Sequence, residues 1–273
     1  MIYIVGANGF LGLKIRKIIP KKIQINISSS SKKNSIKTDI FSDKYLMNEK
    51  WIKSITKKDK IILLSNIGDI NFYEKNTSKV KKFEKNLFKN FLNKVNKNSK
   101  IIFFSSDMVY SGKKKIFSEK SKTFPKNNYG KSKLRIEKKI IKNFKNYLIL
   151  RFCKIYSKNP RDKNFYNKTI LSIKSKVKNE LFMDQKVHFL DLRDFEMGFK
   201  KTMKKIDTLK GIYNFPGKIF QSRYNFFKDQ INNKKLHKYL IPINLKMRYN
   251  FLPINLKMRT KLFKKINFKP KYN

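Results

Sequence analysis

The stretch Ile2-Tyr3-Ile4-Val5-Gly6-Ala7-Asn8-Gly9-Phe10-Leu11-Gly12 constrains this chain more than any other. Four apolar residues predict a short buried strand. The glycines predict a tight turn, and the apolar spacing from Leu13 to Ile19 predicts a helix. Strand, glycine turn and helix N-terminus make the first half of a βαβ unit, which builds parallel sheets.

Gly6, Gly9 and Gly12 follow a G-x-x-G-x-x-G spacing rather than the G-x-G-x-x-G of the dehydrogenase fingerprint. Such a loop can supply a tight turn, a backbone without Cβ atoms in the way, and free N–H groups for a dinucleotide pyrophosphate. Gly12 would let the helix sit close on the sheet. The motif resembles the short-chain dehydrogenase/reductase superfamily, in its extended, sugar-nucleotide-modifying branch. That resemblance implies cofactor contacts from Gly6, Asn8, Gly9, Phe10, Leu11 and Gly12.

Lys22 to Ile27 alternates apolar and polar residues and predicts the second strand. An NAD enzyme usually carries an acid near the end of this strand, for the ribose 2′-hydroxyl. Here Ser28 to Lys33 offers hydroxyls and, at Lys32 or Lys33, an ammonium, which suits a 2′-phosphate and favours NADP(H), with NAD as the alternative. The same residues also read as a solvated polar loop. Thr38-Asp39-Ile40 falls where extended reductases place an Asp and an apolar residue beside the adenine, so the resemblance implies roles for Asp39 and Ile40. A surface Asp is the other reading.

A helix is predicted over Lys44 to Ser54, with Trp51 packing from it. Ile61 to Leu64 predicts a parallel strand covered on both faces. Ser65-Asn66-Ile67-Gly68 partly matches the family's run of small residues, which places Ser65 against the cofactor. Val80, Phe83, Leu87, Phe91 and Val95 share one face of a helix predicted over Ser78 to Asn96. Ile101 to Phe104 is the next buried strand, a helix follows Tyr129 to about Phe144, and Tyr147 to Leu150 is a further strand. This alternation calls for right-handed parallel crossovers.

Tyr129 and Lys133 stand four apart at a helix start and share a face. A phenol titrates near ~10 when unperturbed, and a nearby ammonium favours the phenolate. Such a Tyr can exchange a proton with a carbonyl or alcohol, and Lys133 could also bond the nicotinamide ribose. Ser106 follows a strand, at the carboxyl edge where open α/β sheets bind ligands. Together these match the superfamily's Ser/Thr–Tyr–Lys set, which implies catalytic roles for Ser106, Tyr129 and Lys133.

The closest resemblance is to the dTDP-4-dehydrorhamnose reductase family. Ser105-Ser106-Asp107-Met108-Val109-Tyr110-Ser111-Gly112 is similar to its Ser-Thr-Asp-Tyr-Val-Phe-Asp-Gly. Pro125 to Leu134 is similar to its Pro-x-Asn-x-Tyr-Gly-x-(Ser/Thr)-Lys-Leu, and Glu137 matches the acid that follows. Leu150-Arg151, Ile155-Tyr156, Asp184-Gln185 and Gly211-Ile212-Tyr213 extend the likeness. Met108 and Lys154 depart from it, near the sugar. The resemblance implies a Rossmann-like, doubly wound α/β sheet with a small C-terminal lobe: residues 1–157 for the dinucleotide, and 158–273 mostly for a nucleotide-sugar substrate, with room for some of its elements to return to the sheet. The implied reaction is NADPH-dependent reduction of a keto group, serving surface polysaccharide precursors. An NAD-dependent 4-epimerase and a non-catalytic NADP/sugar-nucleotide binding protein are the alternatives. A 4,6-dehydratase is disfavoured, because Met108 stands where its second carboxyl is needed.

With 67 basic and 18 acidic residues, the formal charge is +49. That charge alone would suggest nucleic acid. Only eight of the bases are Arg, while Lys, Asn and Ile abound and Ala7 is the only alanine. Genomic A/T bias accounts for this pattern, so no specific nucleic-acid partner is expected. No apolar run approaches a membrane span of ~18 residues, and Met1 leads straight into a strand, so neither a transmembrane segment nor a signal peptide is expected. Cys153 is alone, which suits a reducing cytoplasm. His188 and His237 have no metal-ligand spacing, so no metal is expected. Pro242 to Arg248 recurs word for word at Pro253 to Arg259, a local duplication. The oligomeric state is left open.

Overall fold

The computed structural model describes residues 1–29, 35–38, 50–64, 66–245 and 250–272. Lys32, Asp39, Ile40, Ser65 and the first half of the helix expected at 44–54 lie outside the described residues. Contacts divide the chain into two compact units: Met1–Ser106, Asn127–Arg151 and Lys205–Tyr213 form the first, and Asp107–Lys126, Phe152–Lys204 and Asn214–Asn273 the second.

The first unit is built on a Rossmann-like sheet. Its strands are β1 (Ile2–Val5), β2 (Gln24–Ser28), β3 (Ile36–Lys37), β4 (Lys60–Leu63), β5 (Lys100–Ser106) and β6 (Tyr147–Phe152), and a later strand, Gly211–Phe215, joins the edge beside β6. The order outward from β6 is β5, β4, β1, β2, β3. β1 pairs in parallel with β2 and β4, as do β2 with β3 and β4 with β5. This is the doubly wound order, reversing direction at β1. Val5 is in register with Ile27 and Leu63, and Leu63 with Phe103, so these strands reach one common carboxyl edge. β5 runs three residues past that line, to Ser106.

Strand alternation explains why both faces read as apolar. Tyr3, Val5, Ile61, Leu63, Ile101 and Phe103 point into one core with Trp51, Phe83, Leu87, Phe91, Ile136 and Ile140. Ile2, Ile4, Ile62 and Ile102 point the other way and are buried too, as a parallel sheet covered on both faces requires. Trp51, on the helical turn Lys50–Lys53, lies between the rings of Tyr3 and Phe91 with centroids 6.1 and 5.8 Å away.

Most boundaries shift by a residue or two from the sequence reading, and two of the differences involve helical turns other than α. The second strand starts at Gln24 rather than Lys22, because Lys21–Ile23 forms a 3₁₀ turn closed by Ile23 N–H on the Pro20 carbonyl. The helix expected over 78–96 is α-helical only over Thr77–Asn86 and continues as a π-helical segment, Leu87–Leu92. Val80, Phe83, Leu87, Phe91 and Val95 are all buried nonetheless.

The second unit holds a three-stranded sheet of β7 (Lys154–Tyr156), β9 (Lys186–Asp191) and β11 (Ile219–Ser222), with β9 central. The strand Gly211–Phe215 counts as β10, and β8 (Asn179–Phe182) pairs in parallel with β12 (Leu240–Ile243). The sequence reads Val187–Leu190 and Gly211–Asn214 as strands, as found, whereas β7, β8, β11 and β12 are too short to show a period and were not legible there. Aromatic stacking replaces long elements as the core: Phe189 lies on Phe226 at 3.9 Å, and Tyr166 on Phe227 at 5.8 Å. Gly217 has no alternative in this core, because a Cβ there would stand 1.8 Å from the Phe189 carbonyl oxygen. Its N–H donates to the buried Cys153 Sγ at 3.2 Å.

Candidate active site

The helix α5 (Asn128–Asn143) begins with a double anchor. The Asn127 side chain caps it, accepting from Gly130 N–H at 2.7 Å. Glu74, on the helix Ile70–Lys75, accepts from the Asn128 backbone and side-chain N–H groups at 2.5 and 3.1 Å. The first turn is therefore fixed, and Tyr129 with it. The Tyr129 ring meets Tyr73 edge-on, with centroids 5.2 Å apart. Burial pushes the Tyr73 phenol up to about 12, and its hydroxyl donates to Asn66 Oδ1 at 2.9 Å. Tyr73 is a neutral wall against Tyr129.

Lys133 sits one turn further on and is 4 % exposed. Its Nζ donates to the Phe104 carbonyl at 3.1 Å and lies 5.7 Å from the Tyr129 ring centroid. Burial pulls the ammonium down to about 8, and the Glu137 carboxylate opposes that pull. Glu137, another turn along α5, accepts from Ser105 Oγ at 2.5 Å and from Arg151 at 3.0 and 2.6 Å. Ser105 thus faces α5, and strand alternation turns its neighbour Ser106 to the opposite side of β5. Ser106 is the last residue of that strand and almost fully buried. The first unit therefore places Tyr129 and Lys133 at the start of α5, with Lys133 bonded to β5 two residues before Ser106 ends that strand.

The glycine loop also has the form its sequence implies. Gly6 takes a φ of 91°, and Gly6 and Ala7 N–H groups donate to the Ile27 carbonyl at 2.9 and 3.1 Å. A Cβ on Gly12 would stand 2.3 Å from the Gly6 carbonyl oxygen. The helix α1 (Phe10–Ile18) opens with no side-chain cap and no acid in its first turn. A bare backbone cradle and uncapped N–H groups fit a pyrophosphate. Phe10 and Leu11 head this helix, and Ser28 closes β2, buried, with its carbonyl held by Thr38 N–H at 2.8 Å. Asn8 Oδ1 accepts from Arg16 at 2.9 Å, and Asn8 Nδ2 donates to Ser35 Oγ at 3.3 Å.

Sequence reading missed Arg16, Tyr73, Glu74 and the Asn127 cap. Asn127, three residues before Gly130, was the one cap signal available. Among the described residues, no group of three His, Cys, Asp or Glu side chains could hold a metal ion. Nor is any helix there long and apolar enough to cross a membrane.

The model of the RmlD substrate binding domain family matches residues 1–255. The chain belongs to that family. Its fold is shared with a dTDP-4-dehydrorhamnose reductase from Bacillus anthracis in complex with NADP, at 18% identity and a TM-score of 0.75, covering 98% of this chain and 93% of that one. The Yersinia enterocolitica dTDP-4-dehydrorhamnose reductase gives 18% identity, a TM-score of 0.74, and coverage of 99% and 93%. A UDP-N-acetylglucosamine 4-epimerase from Bacillus cereus gives 19%, 0.68, and 100% and 91%. At these identities the likeness is one of fold. No curated protein sequence matches the chain. This RmlD-family member is thus an extended short-chain dehydrogenase/reductase by family and fold, as its glycine loop and Tyr-Gly-x-Ser-Lys implied.

Proposed function

We propose that this chain reduces a keto group on a nucleotide sugar, in the manner of a dTDP-4-dehydrorhamnose reductase, with NADPH as reductant. The observation that carries the reading is Lys133, buried one turn from Tyr129 and tied to the end of the strand that bears Ser106. When bound, the dinucleotide supplies the hydride. Tyr129 gives a proton to the carbonyl oxygen as it becomes an alkoxide, and the Ser106 hydroxyl holds that oxygen by donating a hydrogen bond. Lys133, protonated, favours the phenolate that Tyr129 leaves behind.

Gly6, Gly9 and Gly12 would hold the pyrophosphate, with Asn8, Phe10, Leu11 and Ser28 around the adenosine side. We place the nucleotide sugar in the 158–273 part of the chain, and the activity in the cytoplasm, making precursors of surface polysaccharide. The NADP-bound Bacillus anthracis relative supports the cofactor, and family membership supports the substrate class. The epimerase likeness keeps one competitor in view. Incubation with NADPH and a panel of 4-keto nucleotide sugars tests the reading. Oxidation of NADPH in proportion to product supports it. Tightly bound NAD, with unaided interconversion of two sugars, would establish an epimerase instead.

A further inference from the structure

Arginine is scarce here, eight of 67 basic residues, and three of the eight grip a carboxylate with two bonds. Arg135 holds Glu84 at 2.7 and 2.7 Å, Arg151 holds Glu137 at 3.0 and 2.6 Å, and Arg193 holds Asp191 at 2.9 and 2.9 Å. Arg16 is different. Among the described residues its guanidinium meets no carboxylate and donates instead to Asn8 Oδ1. Asn8 lies inside the glycine loop, and its amide also reaches Ser35, just ahead of β3. Loop, α1 and the approach to β3 thus converge on one guanidinium.

The convergence falls where the adenosine half of a dinucleotide must lie. In a βαβ unit the pyrophosphate sits on the helix start, and the ribose lies toward the end of the second strand. No acid occupies Ser28 or Ser29 there to take a 2′-hydroxyl. A groove of about 870 Å³, lined by Arg16, Pro20, Gln24, Asn26 and Ser35 among others, runs between the C-terminal half of α1 and the neighbouring parts of β2 and β3, and Arg16 is half-buried in its wall. The planar fork can hold a phosphate by two bonds, which an ammonium cannot.

We propose that Arg16 recognises the adenosine 2′-phosphate and is the residue that selects NADPH over NADH. This rests on the dinucleotide reading above. It shifts the discrimination from the Ser28–Lys33 stretch to the second turn of α1.

The test is equilibrium titration of the full chain with NADPH, NADH, 2′,5′-ADP and 5′-AMP, comparing wild type with Arg16→Gln, Arg16→Lys and Lys17→Gln. The last controls for nonspecific attraction in a chain of charge +49. Arg16→Gln should weaken NADPH and 2′,5′-ADP on the order of 10- to 100-fold, while NADH and 5′-AMP change less than about twofold. Arg16→Lys should recover only part of the loss, and Lys17→Gln should leave the NADPH/NADH ratio unchanged. Equal effects of Arg16→Gln and Lys17→Gln, or a ratio untouched by Arg16→Gln, would overturn the assignment while leaving dinucleotide binding intact. Wild-type protein that binds neither dinucleotide would overturn the cofactor reading itself, and this assignment with it.

Discussion

Arg151, on β6, closes a two-bond clamp on Glu137, on α5, with both side chains almost wholly buried. The same carboxylate takes the Ser105 hydroxyl and stands one turn from Lys133. One anion therefore balances two buried cations directly behind the proposed catalytic pair.

Glu137→Gln should be costly for that reason. It leaves Arg151 charged and unpaired in the core, a loss of about 3–5 kcal/mol for a broken buried pair, read by denaturant titration. It also removes the group that holds the Lys133 ammonium up against desolvation. The titration near 8 should then move to lower pH, and the corresponding limb of the turnover profile with it. A variant with wild-type stability and an unmoved limb would show that the clamp is neither structural nor coupled to Lys133.

Tyr129→Phe should keep the fold, because Asn127 and Glu74 anchor the first turn through other atoms. Turnover should fall about 10²–10⁴-fold, as expected when a general acid is removed, with NADPH affinity nearly unchanged. Retained turnover would move the proton donor elsewhere.

Gly12→Ala puts a Cβ 2.3 Å from the Gly6 oxygen and 2.7 Å from Ala7 backbone atoms. Backbone must move, so we expect roughly 1–3 kcal/mol of destabilisation and a dinucleotide Kd weakened at least about tenfold. Gly211→Ala is the contrast: its φ of 101° strains an alanine, yet nothing stands within 4 Å of the new atom. It should lower Tm with dinucleotide affinity intact. Parallel effects of the two substitutions on affinity would sever the loop from the cofactor.

His188 is buried on β9, with Nδ1 on the Gly217 carbonyl at 2.8 Å. Burial lowers it from 6.5 to about 4, and Lys257 adds to the shift. Between those values the unfolded chain binds a proton that the folded chain refuses, so stability falls as pH falls from 6.5 to 4. The full effect is roughly 3 kcal/mol, at ~1.4 kcal/mol per pH unit. His188→Asn keeps an N–H for Gly217 and does not titrate. Its stability should vary less with pH across this window, and identical slopes would rule His188 out.

Local spacing made the candidate site legible. Gly6, Gly9 and Gly12 are three apart, Tyr129 and Lys133 one helical turn apart, and the strands beginning at Ile2, Ile61, Ile101 and Tyr147 open on apolar runs of four. Each signal lies within a few residues, where strand and helix geometry determine which side chains share a face. Contacts between elements leave no such trace. Nothing in the residues near Ser105 announces that Glu137, 32 positions on, accepts a hydrogen bond from its hydroxyl, or that Tyr73 walls off Tyr129.

The duplicated heptapeptide shows the division most plainly. In its first copy, Pro242 and Ile243 complete β12 beside β8, and Leu245 N–H donates to Asp184. In the second, Pro253 accepts from Gln185, Leu256 N–H donates to the Lys186 carbonyl, and Asn255 reaches the carbonyls of Lys114 and Lys115. The shared pattern by itself determined one thing: Leu245 and Leu256 are both buried, because the hydrophobic effect acts on the side chain wherever it lies. The backbone partners were decided only by the tertiary structure. N–H and C=O groups carry no residue identity and pair with whatever the surrounding fold brings within reach.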